Sequence, residues 1–132
     1  MKEMYLSIIA GIATASVYLL GGFDVAIQCL LVAIVIDYVS GLIKAFVTKT
    51  LSSQIGARGL LKKVAILLVV MLAVLIDRVT GETGAIRTLV IYYFVANEGL
   101  SIVENLAETN IPIPAVLKRA LKAIKKEGNK KK

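Results

Sequence analysis

Residues 25–43 read VAIQCLLVAIVIDYVSGLI, nineteen positions interrupted by one charge, Asp37. As a helix rising 1.5 Å per residue this stretch is about 28 Å long, close to the roughly 30 Å hydrocarbon core of a bilayer. Upstream, Met4 to Phe23 is a 20-residue run without a charge. Only Gly21, Gly22 and Asp24 break the two runs, which leaves room for a tight helical hairpin. A secretory signal peptide competes for the first run because Lys2 precedes it, but the run outlasts a usual h-region and further apolar segments follow. Downstream, residues 44–63 are polar and basic, with Ser52, Ser53, Gly56 and Gly59 as loop formers. Val64 to Ile76 has 13 uncharged residues, about 20 Å of helix. It must borrow the turn of Leu60 and Leu61 while Lys62 and Lys63 snorkel to the headgroups.

After a short connection at Asp77–Arg87, residues 88–106 begin apolar and grow polar. The run Ile111-Pro112-Ile113-Pro114 stops that helix, since neither proline donates a backbone hydrogen bond. The chain then restarts with Leu117, Leu121 and Ile124 on one face and Lys118, Arg119, Lys122, Lys125 and Lys126 around them. Composition agrees: 58% of the 132 residues are apolar and the mean hydropathy is +0.81, above the roughly 45–50% apolar share of soluble domains. The expected fold is an all-α integral membrane protein of about four transmembrane helices near 4–23, 25–43, 60–76 and 88–106. Three crossings result if the fourth segment lies at the interface. A transmembrane domain over 1–110 precedes a tail, 111–132, with a basic amphipathic helix.

The net charge of +7 would suggest nucleic acid in a soluble protein; here its distribution is a topology signal. Of 16 basic residues, the N-terminus, second connection and tail carry 14 and the other side two. The positive-inside rule then puts both termini in the cytoplasm. The tail is a solvated topogenic segment that also attracts anionic lipid, about 1 kcal/mol per basic residue. No nucleic-acid partner is expected.

Asp37 costs about 2.5–3.5 kcal/mol at a span centre, against roughly 3–7 contributed by eleven Val, Ile and Leu residues. The span is near balance, so Asp37 needs compensation. Gly41 and Lys44 follow it on the same helix, and Lys62 and Lys63 enter from the same side. In the fourth helix Asn97, Glu98, Ser101, Glu104 and Asn105 form a polar stripe at similar depth. These carboxylates either pair to fix helix packing, face water in an assembled pore, or couple transport to protons. Ser7, Gly11 and Ala15 recur every four residues as a helix-packing or oligomer face. Without His, and with one cysteine, Cys29, a Cys or His metal site has no ligands and no intramolecular disulfide can form. No phosphate loop or serine elbow is present, so no catalysis and no cofactor are expected.

Three blocks resemble the phage-lysis and toxin-secretion holin family of clostridia and related bacteria. They are Ile36-Asp37-Tyr38-Val39-Ser40-Gly41-Leu42-Ile43-Lys44-Ala45; Gly59-Leu60-Leu61-Lys62-Lys63 with Asp77 at the far helix end; and Asn97-Glu98-Gly99-Leu100-Ser101-Ile102-Val103-Glu104-Asn105-Leu106 followed by Pro112-Ile113-Pro114. Thr109-Asn110 stands where a glycine is expected before the prolines, and Asn tolerates the left-handed turn. The resemblance implies a non-enzymatic protein that accumulates in the bacterial cytoplasmic membrane, homo-oligomerises and opens large non-selective lesions at a set time. A cytoplasmic endolysin, or a toxin, then escapes without direct contact. Met1 and Met4 allow two starts, and with them an antiholin form. The alternative from another class is a small four-helix proton-coupled exporter acting as a dimer, with Asp37 or Glu98 as its site. A third is a structural or regulatory membrane subunit.

Overall fold

The computed structural model describes residues 1–130; Lys131 and Lys132, the end of the expected basic tail, lie outside the described residues. Five helices follow one another: α1 (Lys2–Leu19), α2 (Val25–Val47), α3 (Ser53–Thr80), α4 (Ala85–Ala107) and α5 (Ala115–Lys130). Their ends have local causes. Gly21 and Gly22 adopt φ of +80° and +116°, a region that glycine enters without steric cost, and end α1. Asp24 caps α2, its carboxylate accepting from the Ile27 N–H at 3.1 Å. Ser52 caps α3 in the same way through Ile55 N at 3.2 Å. Gly81, at φ 72°, ends α3. Asn110, at φ 66°, makes the left-handed turn before the prolines that the sequence assigned to it.

The basic connection is shorter than its composition suggests. Helix α3 begins at Ser53, so Gly56 and Gly59 are helical and not loop residues. They sit where α2 comes closest: a Cβ at Gly59 would lie 3.4 Å from the Tyr38 ring, and the Tyr38 hydroxyl donates to Gly56 O at 3.4 Å. Tertiary approach, not turn formation, explains these glycines. Helix α4 likewise starts at Ala85, three residues before the expected Thr88.

Three helices, α2, α3 and α4, are long and apolar enough to cross a membrane. The helix that falls short of the expected four is α1, because Lys2 and Glu3 lie inside its 18 residues. The segment left open from sequence, α4, meets the requirement. It is also the hub, packing against α2, α3 and α5. Helices α2 and α4 run parallel, as the pairing of Asp24 with Arg87 at one end and Lys44 with Glu108 at the other requires; α3 runs back between those ends. Leu20, Ile27, Leu30, Ile34, Ile66, Val70 and Ile91 form the core. Most other large apolar side chains face outward, as they should where the solvent is hydrocarbon. The protein is an all-α membrane protein.

After Pro114 the amphipathic α5 folds back along α4, seating Leu121 against Gly99. Of its apolar face, Leu121 is thus covered by another helix of the same chain, while Leu117 and Ile124 stay exposed.

Candidate functional site

On α2 the buried positions are Ile27, Leu30, Ile34, Asp37, Ser40 and Ala45, a helical stripe along one face. Asp37 therefore rides the core face of its helix. On α4, Glu98 lies seven residues from the fully buried Ile91, two turns along the same face. Helix α3 brings Lys63 between them. The Lys63 ammonium donates to both the Asp37 Oδ2 and the Glu98 Oε2. The three side chains are only 12%, 9% and 4% exposed respectively.

The second Asp37 oxygen is also engaged. Asn105 Nδ2 donates to Asp37 Oδ1 at 3.2 Å and to Ser40 Oγ at 3.1 Å, and the Ser40 hydroxyl donates to the Asp37 carbonyl at 3.0 Å. Among the described residues every buried side-chain nitrogen and oxygen has a partner, the condition under which a buried polar network is tolerated. One cation serves two carboxylates, so with all three ionised the cluster carries a net charge of −1. Such a cluster binds the three spanning helices to one another at a single depth.

Around it lies a cavity of about 740 Å³. Asp37, Gly41, Lys44, Lys62, Lys63, Asn97, Glu98, Ser101 and Asn105, the full set of pore or assembly candidates from sequence, line it. Their environments differ. Lys44 pairs with Glu108 at 3.1 Å with both side chains at least one third exposed. Lys62 is exposed and, among the described residues, makes no ion pair, although it adjoins Lys63. A Cβ at Gly41 would meet only Asn105 Nδ2, at 3.6 Å. Asn97 faces α5, accepting from Lys125 Nζ at 3.3 Å, and Glu104 is exposed. The polar stripe of α4 is therefore two faces, with Glu98 and Asn105 turned inward and Asn97 turned to α5.

The remaining candidates lie elsewhere. Ser7, Gly11 and Ala15 are exposed on α1, and a Cβ at Gly11 would have nothing within 4 Å. The hydroxyl of Ser7 bonds its own helix at Glu3 O, 2.9 Å away. Lys118, Arg119, Lys122 and Lys126 are exposed on α5, while Lys125 is half-buried.

A second polar cluster escaped the sequence. About 20 Å from the first, thirteen residues down α2, the buried Arg87 donates from Nε to Leu20 O at 2.6 Å and from both terminal nitrogens to the Asp24 carboxylate, at 2.8 and 3.0 Å. The Asp77 carboxylate accepts from Ile86 N at 3.1 Å and Arg87 N at 2.8 Å, capping α4 in place of a side chain at Gly84. Arg78 adds a bond to Tyr18 O at 2.7 Å and lies 4.0 Å over the Tyr18 ring. The ends of all four helices are thereby clamped. Hydrogen bonds from Arg87 hold the Asp24 carboxyl down to about 2, against an ordinary 3.8. The available signal was Arg87 itself, one of two basic residues in an otherwise short connection; read as a charge count, it gave orientation and hid the contact.

Sequence comparison bears on this arrangement. A family model described as the bacteriophage holin family matches residues 14–126. An uncharacterized 14.9 kDa protein from the nagH 3′ region of Clostridium perfringens is 43% identical over 124 residues, covering 93% of this chain and 92% of its own length. A Listeria innocua protein is 38% identical over 120 residues, with coverage of 90% and 86%. A protein of Bacillus phage phi105 named as a probable holin is 36% identical over 105 residues, covering 80% of this chain and 78% of the phage protein. No solved structure matches. With a family model spanning both polar clusters and all three apolar helices, the chain belongs to the bacteriophage holin family.

Proposed function

We propose that this protein accumulates in the bacterial cytoplasmic membrane, homo-oligomerises and opens large non-selective lesions that time the death of the cell. A cytoplasmic endolysin, or in other settings a toxin, escapes through them without needing to bind the protein. The observation that carries the reading is Lys63 held between Asp37 and Glu98 inside three apolar helices. In hydrocarbon those charges need one another. In an oligomer that admits water they gain a second favourable environment, facing an aqueous lumen. One set of side chains thus stabilises a compact subunit and can wet the wall of an open assembly, a bistable element of the kind a timed event requires.

Family membership supports this reading, as does the probable-holin relative. The family is one of membrane lysis proteins and not of enzymes. The C-terminal side of the bundle lies in the cytoplasm in this reading, with Lys44, Lys62 and Lys63 at that end and Arg78 and Arg87 at the other; the N-terminus joins it there when α1 crosses as a fourth span. The basic α5 is suited to anionic lipid on the cytoplasmic face, and Met1 and Met4 allow a second, shorter product to act as antiholin. A dimeric proton-coupled exporter would need a carboxylate free to exchange protons, whereas Asp37 and Glu98 are both engaged by one lysine.

The test uses purified full-length protein in phosphatidylcholine–phosphatidylglycerol vesicles loaded with fluorescent dextrans of graded mass. The expected result is release of dextrans as large as a folded enzyme, together with crosslinked species well beyond a dimer. Proton flux without dextran release, from a dimer, would overturn the proposal in favour of an exporter.

A further inference from the structure

Helix α5 is seated on α4 through one close-fitting contact. A Cβ at Gly99 would fall 2.6 Å from Leu121 Cδ2 and 3.5 Å from its Cγ, so the Leu121 side chain fills the space that any other residue at position 99 would occupy. One turn further along α5, Lys125 donates to Asn97 Oδ1 at 3.3 Å and stands 5.9 Å from the Tyr93 ring centroid. The docked helix turns Lys118, Arg119, Lys122 and Lys126 outward. Beside a helix that crosses a bilayer, such charges are costly wherever they meet hydrocarbon. The same cations favour an anionic membrane surface. Helix α5 therefore has two competing seats, one on α4 and one on the lipid headgroups.

Leaving α4 has a consequence for the rest of the molecule. Asn97 loses its partner, and Gly99 becomes an open notch on a helix long enough to cross the membrane. A polar amide in lipid must be satisfied by protein, and a small-residue notch lets a second backbone approach. A second copy of this chain, offering the same notch and amide, fulfils both needs.

We infer that α5 is an intramolecular strap: docked on the Asn97–Gly99 face of α4 it keeps subunits apart, and its transfer to the anionic membrane surface frees that face for self-association. This inference rests on the oligomeric lesion proposed above and supplies its regulation.

The test locks the strap. In full-length protein carrying Cys29→Ser, to remove the free and exposed native thiol, Gly99→Cys and Leu121→Cys place two sulfurs within cystine reach, since position 99 lies 3.5 Å from the Leu121 branch carbon. The variant is reconstituted in phosphatidylcholine–phosphatidylglycerol vesicles, oxidised or reduced, and read by amine crosslinking for oligomers and by dextran release. Oxidised protein should remain monomeric in sealed vesicles, and reduction should restore oligomers and release. Leu121→Asp, which removes the knob without a crosslink, should raise the oligomeric fraction at least threefold over the parent at equal protein. Failure of the pair to oxidise, or equal oligomerisation with and without the disulfide, overturns the strap. If oligomers follow the disulfide while every vesicle stays sealed, the strap stands and the lesion reading fails.

Discussion

Replacing Lys63 by Met removes the one cation that two buried carboxylates share. Breaking a buried ion pair from one side costs about 3–5 kcal/mol, because the remaining charge is left uncompensated. Here two charges remain. The Asn105 amide retains its bond to Asp37, which favours a value of about 3–5 kcal/mol. The adjoining Lys62 is the internal control. It is exposed and, among the described residues, without an ion pair, and Lys62→Met should cost less than about 0.5 kcal/mol. Stability is measured by unfolding in mixed micelles with increasing SDS, followed by far-ultraviolet circular dichroism, alongside the amount of protein recovered from membranes. The triple variant Lys63→Met, Asp37→Asn, Glu98→Gln should regain most of the loss, since a neutral set has no stranded charge. Two lysine variants of equal stability, or a Lys63→Met protein within about 1 kcal/mol of the parent, would refute the reasoning.

Three further outcomes concern the opposite end of the bundle. The Asp24 carboxyl titrates near 2 when folded against 3.8 otherwise, so its stabilising effect is complete above about pH 4 and is lost as pH falls towards 2. Its side chain is 53% exposed, which limits the effect to about 1 kcal/mol or less, and Asp24→Asn should flatten this part of a stability–pH curve. Asp77→Ala should cost about 1–2 kcal/mol by leaving the Ile86 and Arg87 N–H groups without their acceptor, and Asp77→Asn should cost less because an amide oxygen can keep one bond; micelle unfolding decides. Gly21→Ala combines a left-handed backbone with a Cβ 2.7 Å from Arg87 Nε and should cost about 3 kcal/mol, whereas Gly22→Ala has open space and should cost only the strain, about 1–2 kcal/mol.

What sequence could convey here follows from which physical effect leaves a periodic trace. Hydrocarbon length does, and α2 was legible to within a few residues because apolar residues fill it. Charge at mid-span does too, so Asp37 and Glu98 stood out and share one lysine. Face assignment was weaker. Lys62 and Lys63 are alike in sequence, but 100° of helix rotation separates them, and only Lys63 points at the carboxylates. Asn97 and Glu98 divide for the same reason, one towards α5 and one into the core. Gly56 and Gly59 looked like loop residues because a close approach by Tyr38 cannot be read locally. Arg87 showed only as a charge: its partners Leu20 and Asp24 lie more than sixty residues away, and composition offers no sign of such a pairing. The docking of α5 was equally out of reach, since its apolar face fits a lipid surface or a neighbouring helix equally well.

The most direct measurement of lesion formation is made in cells. The protein is expressed with an endolysin that has no export signal, and turbidity and membrane potential are followed after induction. Abrupt loss of potential followed at once by lysis, and a changed lysis time with Asp37→Asn at equal abundance, is the result expected of the account. Continued growth at high expression, with potential maintained and endolysin activity confined to the cytoplasm, would contradict it.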